Sequence, residues 1–255
     1  MHVKDVTHPL YAPRLPPDHA PARPLPLPMS VKAQQSETTR TTLIRVARDL
    51  FTELGYADTP TEEIVRRASM TRGALYHQYK DKQDLFRAVF ETVEADLNAQ
   101  ITAAAMRETD PVSRMRAGVS AFLDAMLDPT VRRIVVLDGP SVLGLQTWRR
   151  IDDAHSFKQV SGALHALVAA GLLLDQPIDA LAHLVVGALN QAALAMAVAD
   201  DVTRAREEFG IALAGVLDAL LRVPAKPRRT PRKRPREDGV SQAASRSRAD
   251  SRRRP

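Results

Sequence analysis

Apolar residues recur with the period of an α-helix along most of this chain, and no stretch shows the strict alternation of a half-buried strand. The first clear apolar stripe runs from Leu43 to Leu54 and ends at Gly55, a favourable residue for closing a helix. No internal repeat is visible. The pattern therefore predicts an all-α fold.

The charge of the chain is concentrated at its two ends. The sequence has 255 residues and a formal charge of +6. Eight of its 18 prolines lie between Pro9 and Pro28, and residues 224–255 contain twelve basic and three acidic residues. Such composition is typical of disorder, so we expect a disordered Pro-rich extension over 1–35 and a disordered Arg/Lys-rich tail over 224–255. The ordered part is then 36–223.

Residue usage narrows the possible function classes. The absence of cysteine excludes disulfide frameworks, thiolate metal sites and a catalytic thiol. The histidines lack metal-ligand spacing, so neither a metal nor another cofactor is expected. The longest apolar stretch, 181–198, is interrupted by polar side chains, so we expect no membrane span; no export signal is expected either, and the predicted location is cytoplasmic.

Two short helices joined by a tight turn are predicted between two longer ones. Thr59 is a candidate cap of the second helix, with Pro60 at its first position and Glu62 closing a capping box. Thr71 is the candidate cap of a third helix from Arg72 to about Tyr79. This arrangement is the helix-turn-helix plan, in which the second short helix enters the major groove of DNA.

The residues themselves resemble the DNA-binding domain of TetR-type transcriptional regulators. The resemblance lies in Leu50–Phe51, Gly55–Tyr56, Thr59, Ile64 and the unbroken stretch 68–86. It implies a helix-turn-helix domain over 36–82 and a helical effector-binding and dimerisation domain over 83–223. It also implies binding of double-stranded DNA as a homodimer and release by an unknown small-molecule effector, more in keeping with a repressor than an activator.

The family resemblance assigns DNA contacts to the third helix and its flanks. Arg72 is the first candidate base reader because a guanidinium can donate two hydrogen bonds to guanine. Gly73 permits close approach of the backbone, and the Ala74 methyl suits a thymine methyl. The remaining candidates are expected to hold the DNA backbone, with His77 also within reach of bases: Thr59, Thr71, Tyr76, His77, Gln78 and Lys82.

Each of these residues also has a structural interpretation. Thr59 is first a helix cap, Tyr76 is a candidate packing residue, and Leu75 and Tyr79 belong to the core. Ser69 stands where the family usually has glycine, which would cost some stability if the backbone there has a positive φ.

Further helices are predicted beyond residue 105, over 114–127, 152–170, 178–199 and 203–222. The segment 137–152 resembles one group of TetR-type effector domains. The last two helices are apolar nearly all round and therefore need burial on more than one side, and the resemblance implies that they form a four-helix dimer interface. The candidate residues lining an effector pocket are Phe122, Met126, Leu143, Trp148, His155 and Leu164, although such residues at helical spacing more often belong to the core.

Two other functions remain open. An architectural, nucleoid-associated protein would use the same helix-turn-helix and gain sequence-independent affinity from the basic tail. An enzyme is the second alternative, because His155, Asp152 and Asp153 lie close together in the sequence near the predicted pocket. No nucleophile elbow, P-loop or dinucleotide fingerprint is present, so we expect no enzymatic activity.

Overall fold

Helices account for all the regular structure in the part of the chain that is described. The computed structural model describes residues 30–152 and 156–221, and in these ranges there is no strand, which confirms the predicted all-α class. The elements in order are α1 (Val31–Leu54), α2 (Thr61–Arg67), α3 (Arg72–Gln78), α4 (Lys82–Met106), α5 (Pro111–Ala125), a π-helix (Val131–Asp138), α6 (Gly139–Leu143), α7 (Leu145–Asp152), α8 (Lys158–Ala169), α9 (Ile178–Ala197) and α10 (Val202–Leu221).

Helix α1 begins earlier than the sequence pattern indicates. Its cap is Ser30, whose hydroxyl accepts a hydrogen bond from the backbone N–H of Ala33 at 3.2 Å. Residues 31–35 are thus helical, although the sequence placed them in the disordered extension. Their side chains are largely exposed, so they carry no apolar stripe from which a helix could be recognised. The rest of the predicted extension, and the tail at 224–255, lie outside the described residues.

Helix α2 is not capped in the predicted way. Its cap residue is Pro60, with no side-chain hydrogen bond, and the helix begins at Thr61. The Thr59 side chain is fully buried, and its hydroxyl lies 2.6 Å from the carbonyl oxygen of Gly55 and 3.3 Å from that of Leu50. The predicted Thr59 cap and its capping box are therefore wrong, because this hydroxyl instead donates to carbonyls at the end of α1 and in the turn that follows it.

The first three helices and the start of α4 share one apolar core. Three aromatic rings pack there, with centroid distances of 5.8 Å for Phe51–Tyr56, 5.3 Å for Phe51–Phe86 and 5.2 Å for Tyr56–Phe86. Leu75 and Tyr79 of the α3 region are buried as predicted. Packing of Leu75 and Tyr79 into this core fixes the orientation of α3, so the face of α3 opposite to Leu75 is directed outward.

The middle of the chain departs most from the predicted helices. Within the helix predicted over 152–170, the structure describes the end of α7 at Asp152 and α8 from Lys158 to Ala169, while residues 153–155 lie outside the described residues. Residues 137–152, for which no helix was predicted, contain the end of the π-helix, α6 and α7, with Gly144 (φ +77°) between the last two. Helices α9 and α10 lie within two residues of the predicted bounds at each end.

Helix α9 is the one helix in the described ranges whose length and composition would let it cross a membrane. Core helices of water-soluble proteins meet the same two criteria. Buried residues occur along its whole length, from Ile178 to Met196. The expectation that the chain has no membrane span remains a prediction.

Candidate functional site

The turn between α2 and α3 sets the direction of α3. The Met70 N–H donates to the Val65 carbonyl at 2.9 Å, and the Ser69 N–H donates to the Arg66 carbonyl at 3.1 Å, the two bonds of a Schellman motif. Ser69 has a φ of +53°, so the positive φ considered from the sequence is present. A side chain in this conformation costs free energy that glycine would not.

Helix α3 begins at its predicted cap. The Thr71 hydroxyl accepts a hydrogen bond from the Ala74 N–H at 3.1 Å. Arg72, Gly73, Tyr76 and His77 are exposed, whereas Ala74 is half-buried. The predicted base-reading residues therefore share the exposed N-terminal half of the helix.

The Arg72 guanidinium has only weak partners within the protein. It lies 3.0 Å from the Glu62 carboxylate, and both side chains are about 60% exposed. Its central carbon is also 5.9 Å from the centre of the Tyr76 ring. Exposed ion pairs of this kind contribute little free energy. Arg72 can therefore leave Glu62 for another hydrogen-bond acceptor, such as a DNA base, at little cost. Glu62 was not recognised from the sequence, since only the fold brings α2 beside the start of α3.

Gly73 is not required for packing within the protein. A Cβ added there would meet only the Thr71 hydroxyl oxygen, at 3.7 Å. The space beside this backbone opens onto the exposed face of α3, where a partner could approach closely.

Three of the predicted backbone contacts have partners inside the protein. Gln78 is half-buried and donates to the Ser36 hydroxyl at 2.9 Å, which joins α3 to α1. The Lys82 ammonium donates to the carbonyls of Tyr56 at 2.7 Å and Thr59 at 2.9 Å, and burial lowers its pKa. With the Thr59 side chain buried, a phosphate contact by its hydroxyl is ruled out, and Lys82 first holds the turn before α2.

Side chains of the π-helix region connect the helix-turn-helix to the rest of the molecule. The Asp138 carboxylate accepts the Tyr56 backbone N–H at 2.8 Å and the Arg133 guanidinium at 3.3 Å. Gln83 donates to the Val142 carbonyl at 2.5 Å. At Gly55, whose φ is +80°, an added Cβ would collide with the Arg133 side chain. These contacts place the end of α1 against the π-helix and the start of α4 against α6.

A cavity of about 600 Å³ lies between α4, α5, the π-helix, α7 and α9. Among the predicted pocket residues, Phe122, Met126 and Trp148 line it. Leu143 and Leu164 do not line this cavity and are instead buried in apolar clusters. His155 lies outside the described residues.

Two acidic side chains on the wall of this cavity were not among the predicted lining residues. Glu94 of α4 is 3% exposed and Asp152 of α7 is 7% exposed. The side chain of Asn98 donates to Glu94 at 3.0 Å, and that of Asn190 donates to Asp152 at 3.2 Å. Burial, followed by the nearby charge of Asp152, raises the pKa of Glu94 to about 7. The available sequence signal was the position of Glu94 within the apolar stripe of α4.

Two families of known proteins match separate segments of this chain. The family described as bacterial regulatory proteins, tetR family, matches residues 43–89. The family described as tetracyclin repressor-like, C-terminal domain, matches residues 112–220. The first match covers the helix-turn-helix, and the second covers the cavity-lining helices other than α4.

Individual relatives agree with these matches. The HTH-type transcriptional regulator AcrR of Shigella flexneri is 32% identical over 104 residues, or 40% of this chain and 48% of that protein, so the chain spans about half the length of this relative. The transposon Tn10 TetC protein of Escherichia coli is 29% identical over 147 residues, 55% of this chain and 71% of that protein.

Among solved structures, a TetR-family transcriptional regulator from Pectobacterium atrosepticum is 32% identical, with a TM-score of 0.67, and the match covers 75% of this chain and 98% of that one. The helix-turn-helix with its exposed α3, the helical body and this near-complete match lead to one conclusion: the chain belongs to the TetR family of DNA-binding transcriptional regulators.

Proposed function

We propose that this regulator is a homodimeric, ligand-responsive repressor that binds a palindromic operator through α3. The observation that carries the proposal is the exposed N-terminal half of α3, where Arg72 has only two weak partners among the described residues, Glu62 and the Tyr76 ring. Arg72 is the proposed base reader, and Gly73 and Ala74 are proposed to approach the bases closely. Thr71, Tyr76 and His77 are the proposed contacts to the DNA backbone.

An exposed apolar surface on α9 and α10 supports dimerisation. Leu184 of α9 is 72% exposed and Ile211 of α10 is 76% exposed. Small or apolar exposed residues continue along both helices. On α9 and its C-cap they are Ala180, Gly187, Ala188, Leu194 and Val198, and on α10 they are Ala212, Gly215, Val216 and Ala219. We call this surface the α9–α10 face. A contiguous exposed apolar surface is typical of an interface, and a two-fold dimer uses the same surface on each subunit.

Dimerisation through the α9–α10 face would present two copies of α3 to one DNA duplex. Half-sites read in this way are spaced by one helical turn, about 34 to 36 Å, or its multiples, and are related by two-fold symmetry. The operator is then a palindrome.

The cavity and the contacts of the π-helix support the ligand response. Val135 and Val136 of the π-helix line the cavity, and Asp138 at its end holds the Tyr56 N–H of the helix-turn-helix. A ligand that favours a different position of the π-helix would also shift the helix-turn-helix. It would then bind better to a dimer whose two α3 helices no longer match the half-site spacing, so the affinity for the operator would fall. We also propose, by analogy with the family, that the ligand is returned unchanged and that the protein acts in the cytoplasm.

Selection of random DNA duplexes by the purified full-length protein tests the proposed function. Sequencing should reveal an enriched palindrome, and sedimentation of the protein alone should give the mass of a dimer. Flat enrichment, with binding that follows salt concentration alone, would contradict operator recognition and favour an architectural protein that relies on its basic tail. Removal of residues 224–255 distinguishes an operator-binding regulator from an architectural protein. If α3 reads the operator, specific binding should survive the removal with a weaker dependence on salt.

A further inference from the structure

The cavity of about 600 Å³ adjoins a second, more apolar chamber of about 200 Å³. The two share wall residues, among them Ile101, Phe122 and Val186. The second chamber is bounded mainly by apolar side chains, including Met115 and Val160. A ligand that occupies both chambers therefore needs an apolar body in the second chamber and a different group in the first.

The first chamber holds two buried carboxylates, and neither forms an ion pair with a cation of the described residues. The only hydrogen bonds that Glu94 and Asp152 accept from the described residues come from neutral amides, those of Asn98 and Asn190. The second carboxylate oxygen of Glu94, Oε1, accepts none from these residues, although the side chain is 97% buried. A buried carboxylate without a counter-charge is costly, so a ligand that brings a positive group would supply the counter-charge that the described residues do not.

The other charged and titratable groups on the wall do not fill this role. Arg149 is exposed and forms no ion pair with the described residues. His183 is exposed and stacks on Phe157 with a centroid distance of 4.4 Å. Trp148 lines the same chamber, and its indole ring is the aromatic group that attracts cations most strongly.

We infer that the effector of this protein is an amphipathic organic cation, with an ammonium group between Glu94 and Asp152 and an apolar body reaching past Phe122 into the second chamber. The inference rests on the proposed ligand response and specifies the chemistry of that same cavity. Anionic compounds of similar shape are rejected by the two carboxylates, and neutral ones leave both carboxylates without a counter-charge.

Protonation of Glu94 should make the affinity for a cation depend on pH. Since burial and the neighbouring Asp152 raise the pKa of Glu94 to about 7, an arriving ammonium must displace a proton below that pH. The affinity for a cation should rise by up to about tenfold per pH unit between pH 6 and 7 and level off above. Arg149, Asp152 and His183 face the same chamber, so the test needs a variant that removes the Glu94 charge alone.

Ligand titrations on the full-length protein provide that test. Trp148 is the only tryptophan of the chain and lies on the chamber wall, so its fluorescence reports binding. The probes are primary amines with phenylbutyl, naphthylmethyl and dodecyl bodies, each matched by the alcohol and the carboxylate of the same body. The variants are Glu94→Gln and Asp152→Asn, with Glu91→Gln as the control because Glu91 is exposed on the same helix.

We expect at least one amine to bind about tenfold or more tightly than its alcohol and its carboxylate. Glu94→Gln and Asp152→Asn should each remove that preference while leaving the affinity for the alcohol within a factor of about two, and Glu91→Gln should change neither. The pH dependence should disappear in Glu94→Gln. The inference is overturned if no amine binds at millimolar concentration, if alcohols or carboxylates bind as well as amines, or if both variants retain the amine preference.

Release of an operator duplex, measured with the same probes, separates this inference from the proposed function. An amine that binds through Glu94 but does not release DNA would support the cation site and contradict the ligand-responsive repressor. Release by a neutral or anionic compound, unchanged in Glu94→Gln, would support the repressor and overturn the cation site.

Discussion

Replacing Glu94 with glutamine should make the unliganded protein more stable at neutral and alkaline pH. The carboxyl group is protonated in the folded state up to about pH 7, because burial raises its pKa from the ordinary value of 4.5 to about 7. In the unfolded chain the same group ionises near 4.5. Between these values the folded state binds one more proton, so the free energy of unfolding falls as the pH rises from 4.5 to 7 and stays level above that range.

The size of the effect follows from the change in pKa. A tenfold change in proton affinity corresponds to about 1.4 kcal/mol, so Glu94 lowers the stability of the wild-type protein by about 3 kcal/mol at pH 8 relative to pH 4. Glutamine keeps the shape of the side chain and cannot ionise. The Glu94→Gln variant should therefore match the wild type near pH 5 and exceed its stability by up to about 3 kcal/mol at pH 8.

Urea unfolding of both proteins at a fixed concentration, from pH 5 to pH 8, measures this difference. The protein concentration must be held constant because the stability of a dimer depends on it. Glu91→Gln, at an exposed position of the same helix, is the control and should follow the wild type at every pH. A difference between wild type and Glu94→Gln that is the same at pH 5 and pH 8 would refute the buried, titrating carboxyl group.

Three further predictions concern the turn, the contact with the π-helix and the dimer. Ser69→Gly should raise the free energy of unfolding by about 0.5 to 1 kcal/mol in urea titrations, since glycine relieves the positive φ, and a gain of the same size for Ser69→Ala would contradict this reason. Asp138→Ala should lower it by about 1 to 3 kcal/mol by leaving the Tyr56 N–H and Arg133 without their acceptor; unchanged stability would show that solvent replaces the carboxylate. Ile211→Lys should convert the dimer to monomers in sedimentation experiments, because it places a charge on the α9–α10 face, and a dimer that persists would move the interface elsewhere.

The helix-turn-helix was the most predictable part of the fold. Helix α3 begins at Thr71 as expected, because a capping residue and an apolar stripe are both local features of sequence. Thr59 and Lys82 show the limit of such reasoning. Both stand near helix N-termini in the sequence, but the turn after α1 folds back and directs their polar groups to backbone carbonyls.

The effector cavity could be predicted only in part. Trp148 and Phe122 were recognised as candidates by residue type, whereas the same reasoning selected Leu143 and Leu164, which are core residues. The approach of Glu94 to Asp152 could not be predicted, because the two residues are separated by three helical elements and are brought together only by packing. A glutamate inside an apolar stripe was nevertheless a local signal that could have been used.

Base reading by Arg72 of α3 can be tested by comparing the affinities of three proteins for two duplexes. The wild type, Arg72→Ala and the control Arg66→Ala, at an exposed arginine of α2, are each titrated with the enriched palindrome and with a duplex changed at one symmetric pair of bases. The account predicts that one such base change costs the wild type about 1 to 3 kcal/mol per half-site, that Arg72→Ala no longer distinguishes the two duplexes, and that Arg66→Ala still does. If Arg72→Ala keeps the full discrimination at every symmetric position, the assignment of base reading to this residue is contradicted.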